Sequence, residues 1–398
     1  MKNESFSLRI GFCPRENCLE LIGSLDFEFF LSMPFCSANL CLPAEENNLI
    51  MELISGAGVF WRQARISQLQ NLFPSNNKRG VLIPIPFFNH TRYNHALMVA
   101  MMGMAILEKA LKDGLQLKKK EIISFVLACL YHDAATPAGG DQTKALFGKL
   151  LCEEENFFNH LLNSKNFVQK WKKYLPLAQQ YVLGKGKLGK LLDYLDKISY
   201  VLLDLHGLRF HTTARLAKFM KDNPFSGDVW LDINFANNGK LYFSNPKKLH
   251  DFLLVRALMH VELYKNPASR KIEKLLAQKT AKLVEAKITS LEDFQKHDDQ
   301  WLFQALEENG FFSCNVFDPD KIQFRKFDNE ESCRNFGEIL GQKLIAVESI
   351  GPFKTGLDWP VRFKGKIIPL NQAISQKQIN QLAKLSNAKN GWYVYFYK

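Results

Sequence analysis

Four segments of this 398-residue chain place polar or ionisable side chains where a buried helix would otherwise be apolar. The first, H-T-R-Y-N-H from His90 to His95, opens a helix that continues as ALMVAMMGMAIL, and Arg92 and His95 share one face of it. The second, FVLACLYHDAATPAGGD, ends an apolar helix on His132 and Asp133, just before a Pro/Gly-rich turn. The third, DYLDKISYVLLDL, stacks Asp196, Tyr200 and Asp204 at four-residue intervals along a helix flanked by Leu, Ile and Val. The fourth, RALMHVELY, repeats that rhythm with Arg256, His260 and Tyr264. Taken singly, each has a structural account: a satisfied core histidine, a chance His-Asp pair, a solvated face, a salt bridge. A carboxylate buried without a partner costs several kcal/mol, however, so the third segment needs a cation opposite its stripe. A metal ion, Lys197 or the arginines would serve.

Taken together, two imidazoles (His95, His132) and two carboxylates (Asp133, Asp196) drawn from three helices form a mixed nitrogen and oxygen donor set. Such a set suits a divalent ion: Mn, Mg, Fe, Ni or Zn. An ion held this way lowers the pKa of bound water and polarises a phosphoryl oxygen. Arg92, Lys197 and Arg256 are then the natural clamps for phosphate charge, with arginine adding bidentate geometry.

The order H…HD…D resembles the signature of HD-domain phosphohydrolases, with His95, His132, Asp133 and Asp196 on its four metal-ligand positions. Flanking residues resemble one branch, the deoxynucleoside triphosphate triphosphohydrolases, which include the bacterial dGTP enzymes and the mammalian sterile-alpha-motif HD enzyme. N-H-T-R-Y-N-H-A is similar to that branch's H-x-R-F-x-H-S, and D-K-I-S-Y-V-L-L-D to its D-[KR]-x-x-Y-x-x-x-D. R-A-L-M-H-V-E-L-Y-K-N is similar to R-x-x-x-H-x-x-x-Y-x-H, and R-I-S-Q-L to the R-x-x-Q-L ahead of the first histidine. The resemblance spans roughly residues 58–290. It implies phosphate contacts from Arg92, Lys197 and Arg256, and a substrate pocket that includes Gln68, Leu69, Tyr200, Asp204, His260 and Tyr264, with Asp204 near the 3′-hydroxyl. It also implies a nucleotide substrate, in first place a (deoxy)nucleoside triphosphate, and a homo-oligomer.

The sequence departs from the branch just after the His-Asp pair. Where the family reads H-D-I-G-H-x-P-F-x-H, this chain reads H-D-A-A-T-P-A-G-G-D, so Thr136 and Asp141 stand at histidine positions. A further family histidine, a proton donor, has no match; Glu154 is nearby, with Glu153 and His160. Asp141, Thr136 and Glu154 are therefore the candidate proton-handling positions. Threonine cannot supply a proton at neutral pH as imidazole can. The alternative reading is a nucleotide-binding sensor or scaffold with an impaired HD site.

These segments need a helical frame, and the patterning supplies one. The expected fold is mainly α: an HD-domain helical core over residues 56–300, a strand-rich segment over 1–55, and a C-terminal α+β domain over 301–398. Helices are expected from Arg92 to Leu115 and from Glu121 to Tyr131, a strand hairpin turning at N-N-G-K within 225–245, and a helix near 375–386. Hydrophobic residues at 46% and charged ones at 23% describe an ordinary globular protein. No apolar run is long enough to cross a bilayer, and MKNESFSLRI has no signal-peptide core, so the expectation is a cytoplasmic protein with no membrane partner. The net charge of +12 favours polyanions. Nucleic acid is the weaker partner reading, resting on that charge and on lysine tracts at Lys118–Lys120 and Lys271–Lys279. The eight cysteines read as reduced thiols. The pairs Cys13/Cys18 and Cys36/Cys41 have C-x4-C spacing, wider than zinc knuckles use, and read as free cysteines.

Overall fold

The computed structural model describes residues 6–10, 38–42, 62–66, 91–151, 169, 171–208, 227–311 and 321–398. Among these the chain forms eleven α-helices and nine short strands, so it is mainly α with strands concentrated toward its C-terminal part. Gln68, Leu69, Glu154, Cys13, Cys18 and Cys36 lie outside the described residues.

Near the N-terminus, β1 (Phe6–Ile10) pairs antiparallel with β2 (Ala38–Leu42). Helix α1 (Arg92–Lys112) follows and is buried without a break from Arg92 to Met104. Its run of alanine, leucine, valine and methionine is apolar on all sides, which suits a helix enclosed by others. Thr91 caps it, its hydroxyl accepting the Asn94 N–H. Helix α2 (Lys119–Tyr131) is buried from Ile123 to its end. A turn then leads to α3 (Gly140–Phe147), α4 (Leu175–Val182) and the long α5 (Gly186–Leu208).

The expected hairpin is present as β3 (Ile233–Phe235) and β4 (Leu241–Phe243), with Asn237–Lys240 in its turn. Helix α6 (Pro246–Met259) runs on into a π-turn over His260–Tyr264. Then come α7 (Pro267–Glu285), α8 (Leu291–Lys296) and α9 (Asp299–Glu308). The remaining chain forms β5 (Ile322–Phe327), α10 (Glu330–Leu340), β6 (Leu344–Ile350), β7 (Pro360–Phe363), β8 (Lys366–Pro369), α11 (Gln376–Asn387) and β9 (Gly391–Tyr397).

Two hydrophobic clusters hold these elements together, and each mixes residues from either side of position 300. The larger joins α1, α2, α4, α5 and α6 to Phe353, Trp359, Val361, Leu370 and Leu382. The smaller joins Leu275, Leu276, Phe294 and Leu302 to Ile322, Ile345, Tyr393 and Tyr395. Strand pairing also bridges the two parts: β4 pairs parallel with β7 at Phe243 and Val361, giving a sheet ordered β3-β4-β7-β8. A second antiparallel sheet, β5-β9-β6, packs against α7 and α10. Glu348 on β6 accepts Arg270 Nε at 2.9 Å and pairs with Lys274 Nζ at 2.8 Å, which ties that sheet to α7. No described helix is long and apolar enough to cross a membrane.

Trp359 sits at the junction. Its ring stacks on Phe243 with centroids 5.5 Å apart, and also meets Tyr194 of α5 and Phe252 of α6. Trp359→Ala is expected to cost about 3–5 kcal/mol, the usual range for a buried tryptophan. Urea unfolding followed by circular dichroism measures this, and a loss under about 1 kcal/mol would show that the junction is not core.

Candidate metal centre

The N-terminal end of α1, the C-terminal end of α2 and the middle of α5 meet at one point. His95 comes from the first, His132 from the residue that ends the second, and Asp196 from the third. Their donor atoms all lie within 4.8 Å of one another. His95 Nε2 is 3.1 Å from His132 Nε2 and 3.0 Å from Asp196 Oδ1, and His132 Nε2 is 3.7 Å from the same oxygen. Asp133 Oδ2 lies 3.7 Å from His95 Nε2 and 3.8 Å from His132 Nε2. These four are the side chains that the H…HD…D order picks out.

The far nitrogens of both rings are already committed. His132 Nδ1–H donates to the Cys129 carbonyl at 2.9 Å. His95 Nδ1 lies 3.0 Å from Ser199 Oγ, and Ser199 in turn reaches the His95 carbonyl at 3.5 Å. With each Nδ1 acting as donor, each neutral ring turns an Nε2 lone pair toward the carboxylates, the arrangement outer partners impose on metal-ligating histidines. Separations of 3.0–3.7 Å among the His95, His132 and Asp196 donors also suit a small ion, because bonds of about 2.1 Å give neighbouring ligands about 3.0 Å apart in octahedral and 3.4 Å in tetrahedral geometry. The donor set and its spacing fit a divalent metal.

The charges of the cluster act on one another. Burial opposes a charge on His132, yet Asp133 and Asp196 outweigh it and raise the imidazole to about 9. Burial would raise Asp133 and Asp196, but their neighbours win and hold both well below the usual carboxylate range. For Asp133 these are Arg92, His132 and His95; for Asp196 they are the two histidines.

The cluster opens on a cleft of about 520 Å³, lined on one side by Arg92, His132, Asp133 and Asp141, and on the other by Leu183, Gly184, Gly189, Asp193, Asp196 and Tyr200. Gly189 is required there: a Cβ would stand 2.6 Å from the Gly184 carbonyl carbon, so only glycine lets the turn after α4 lie against α5. Arg92 gives Nη1 to Asp133 at 2.8 Å and Nη2 to the exposed Asp141 at 3.2 Å. Lys197 pairs with Asp193 one turn away on α5. Thr136 is fully buried and does not line the cleft.

Beside the cleft a second group of predicted residues comes together. Arg256 Nε donates to the Tyr200 hydroxyl at 3.0 Å, and the Tyr264 hydroxyl donates to Asp204. Burial raises Asp204 to about 7, against the opposing pull of Tyr264 and Arg92. His260 is pushed the other way, down to about 3, by burial and by the positive Arg256 and Lys265.

Sequence reading missed the residues that fix these groups in place. Ser199 follows Asp196 by three positions, a helical spacing that could have flagged it. Arg62 left no such signal: its Nη2 donates to the Ala134 and Thr136 carbonyls at 3.1 and 2.6 Å, and its Nη1 to the His297 carbonyl at 2.6 Å. Asp299 accepts the Gly139 N–H at 3.0 Å. Together they clamp the turn after the His-Asp pair.

No family profile matches the sequence, and none of the curated proteins matches it. Its fold is similar to that of a phosphohydrolase from Bacteroides thetaiotaomicron, with a TM-score of 0.62 over 85% of this chain and 93% of the other, at 16% identity. A hypothetical protein from Aquifex aeolicus gives a TM-score of 0.49 over 91% and 94% of the two chains, also at 16% identity. The chain thus has the fold of a solved phosphohydrolase.

If Ser199 orients His95, Ser199→Ala should weaken Mn binding by about 10–100-fold in isothermal calorimetry, and His132→Ala should abolish it. Unchanged affinity in Ser199→Ala would show that the serine does not orient the ring. A pH experiment probes Asp204. Its folded pKa lies above the unfolded value, so the protonated acid favours the fold below about pH 4, and that contribution is lost as pH rises through about 7. Asp204→Asn cannot lose it, so between pH 5 and 8 the variant should gain about 2 kcal/mol relative to wild type. Parallel unfolding curves at both pH values would contradict the buried-acid assignment.

Proposed function

We propose that this protein is a metal-dependent HD-domain phosphohydrolase acting on a nucleotide, in first place a (deoxy)nucleoside triphosphate. The observation that carries the reading is the convergence of two imidazole Nε2 atoms and the Asp196 carboxylate within 4.8 Å at the edge of an open cleft. His95, His132, Asp133 and Asp196 would hold the ion. When bound there, a divalent ion supplies Lewis-acid polarisation of a phosphoryl oxygen and acidifies water.

Charge in the cleft supports a cation requirement. The lining carries four carboxylates, Asp133, Asp141, Asp193 and Asp196, against the guanidinium of Arg92 and the imidazole of His132. A triphosphate entering such a space meets like charge unless a cation is already present. Arg92 stands where cleft and cluster meet, and exchanging exposed Asp141 for a phosphate oxygen would keep its Asp133 contact intact. Asp141 lines the cleft and is open to solvent, so of the proton-handling candidates within the described residues it is better placed than buried Thr136. Tyr200, Arg256, Asp204 and Tyr264 would form the wall facing the sugar. Asp204, half protonated near neutrality, can donate as well as accept a hydrogen bond.

One observation favours the second reading, a nucleotide sensor or scaffold with an impaired site. Thr136 occupies a position where the resemblance calls for histidine, and it is sealed away from the cleft. The two readings part on turnover. Deoxynucleoside and ribonucleoside triphosphates, monophosphates and cyclic nucleotides, each with Mn, Mg or Co, should be assayed for phosphate release and product identity. The enzyme reading expects metal-dependent consumption of a nucleotide, reduced in His132→Ala by at least about a hundredfold, the upper range for groups that merely orient metal ligands. Tight calorimetric binding with no product supports the sensor, and neither binding nor turnover with any metal sinks both.

A further inference from the structure

The C-terminal part of the chain reaches into the group beside the cleft. Phe353, in the segment between β6 and β7, stacks on His260 with ring centroids 4.5 Å apart and planes 11° from parallel. The next residue, Lys354, offers its backbone carbonyl to Arg256 Nη1 at 2.7 Å, while Arg256 Nε holds the Tyr200 hydroxyl on the cleft wall. The segment is itself fixed. Ser386 of α11 donates to the Phe353 carbonyl at 2.7 Å, and Lys265 donates to the Gly351 carbonyl. Gly356, at φ +80°, lies so close to α6 that a Cβ would stand 2.9 Å from Leu253 Cδ2.

His260 pays for this arrangement in hydrogen bonds. Both ring nitrogens are buried, and neither has a partner among the described residues. A merely structural contact would be better made by leucine or phenylalanine, which bury no polar atoms. His260 also begins the π-turn that ends α6, the kind of local irregularity often found at functional sites. The ring of Tyr264 meets His260 edge-on at 5.1 Å and Tyr200 at 5.8 Å, so a contiguous aromatic wall runs from Phe353 to the cleft.

We infer that Phe353 is a positioning residue for nucleotide binding: its ring sets the plane of His260, and the Lys354 carbonyl beside it sets the guanidinium of Arg256. The inference rests on the nucleotide reading above and adds to it. Residues 351–357 thereby support the pocket wall, although they lie beyond the stretch whose sequence resembles the family. Phe353 touches no substrate in this account. It acts through His260, Arg256 and Tyr200.

Three substitutions at or beside Phe353 test this in the full chain, with Mn as the metal and the nucleotide that wild type binds best. Phe353→Leu keeps the apolar volume but removes the flat face, and is expected to weaken nucleotide binding about tenfold by calorimetry, or to raise KM by that factor with kcat within about threefold. Phe353→Trp restores a flat ring and should recover most of the loss. Gly356→Ala leaves Phe353 untouched but pushes the segment off Leu253, and should reproduce the Leu phenotype. Mn affinity and the circular dichroism spectrum are expected to stay at wild-type values in all three. Phe353→Leu binding nucleotide as wild type does overturns the inference. So does Phe353→Trp behaving no better than Leu, or a loss of Mn affinity in step with nucleotide affinity, since either points to general packing. Wild type binding no nucleotide at all is a different failure: it removes the functional reading itself, and this inference with it.

Discussion

Two imidazole lone pairs 3.1 Å apart, facing two carboxylates in a buried corner, need positive charge among them. The described structure depends on how that need is met. The neighbouring carboxylates already draw positive charge to His132, whose imidazole they raise to about 9. A divalent ion could meet it by taking the His95, His132 and Asp196 donors together, and the outer partners Ser199 and Cys129 already turn both rings to suit. Buried charge of this kind contributes little to stability and is expensive when half-paired, so its presence in a helical core points to use.

The scaffold around the cluster is built to keep that geometry from drifting. Three of the candidate ligands, His95, His132 and Asp196, sit on helix ends or helix interiors. The fourth, Asp133, starts a turn that would be free to move were its carbonyls and amides not held by Arg62 and Asp299. Both clamps come from elements distant in sequence. Arg92 then couples the turn to the cleft by bridging a metal-site carboxylate and an exposed one, so that charge at the cleft mouth and charge at the centre are linked through one side chain.

From the candidate metal centre to the Phe353 wall the electrostatic character changes. At one end, carboxylates are held ionised beside histidines and an arginine. At the other, burial without a strong opposite charge leaves Asp204 near 7 and His260 neutral. A ligand with an anionic head and a hydroxyl-bearing body would find cation-dependent binding at the first end and uncharged hydrogen-bonding groups at the second. The division follows from desolvation, which each end answers with a different set of partners.

Sequence alone determined the helical class, the hairpin at N-N-G-K and the identity of the residues that meet at the centre. Those features are local: periodicity, turn chemistry, and polar residues breaking apolar helices at positions 95, 132, 133 and 196. Tertiary structure decided what spacing cannot encode. It showed that Thr136 turns into the core while Asp141 faces the cleft, that Lys197 pairs with Asp193, and that Arg62, Phe353 and Lys354 touch residues 74 to 98 positions away along the chain. Arg62 and Phe353 carry no periodic signature of their own, since an arginine that binds carbonyls and a phenylalanine that stacks on histidine look like any others until the chain folds back on itself. Helix packing, with β4 pairing to β7 and Trp359 locking the junction, brings those distant residues within reach.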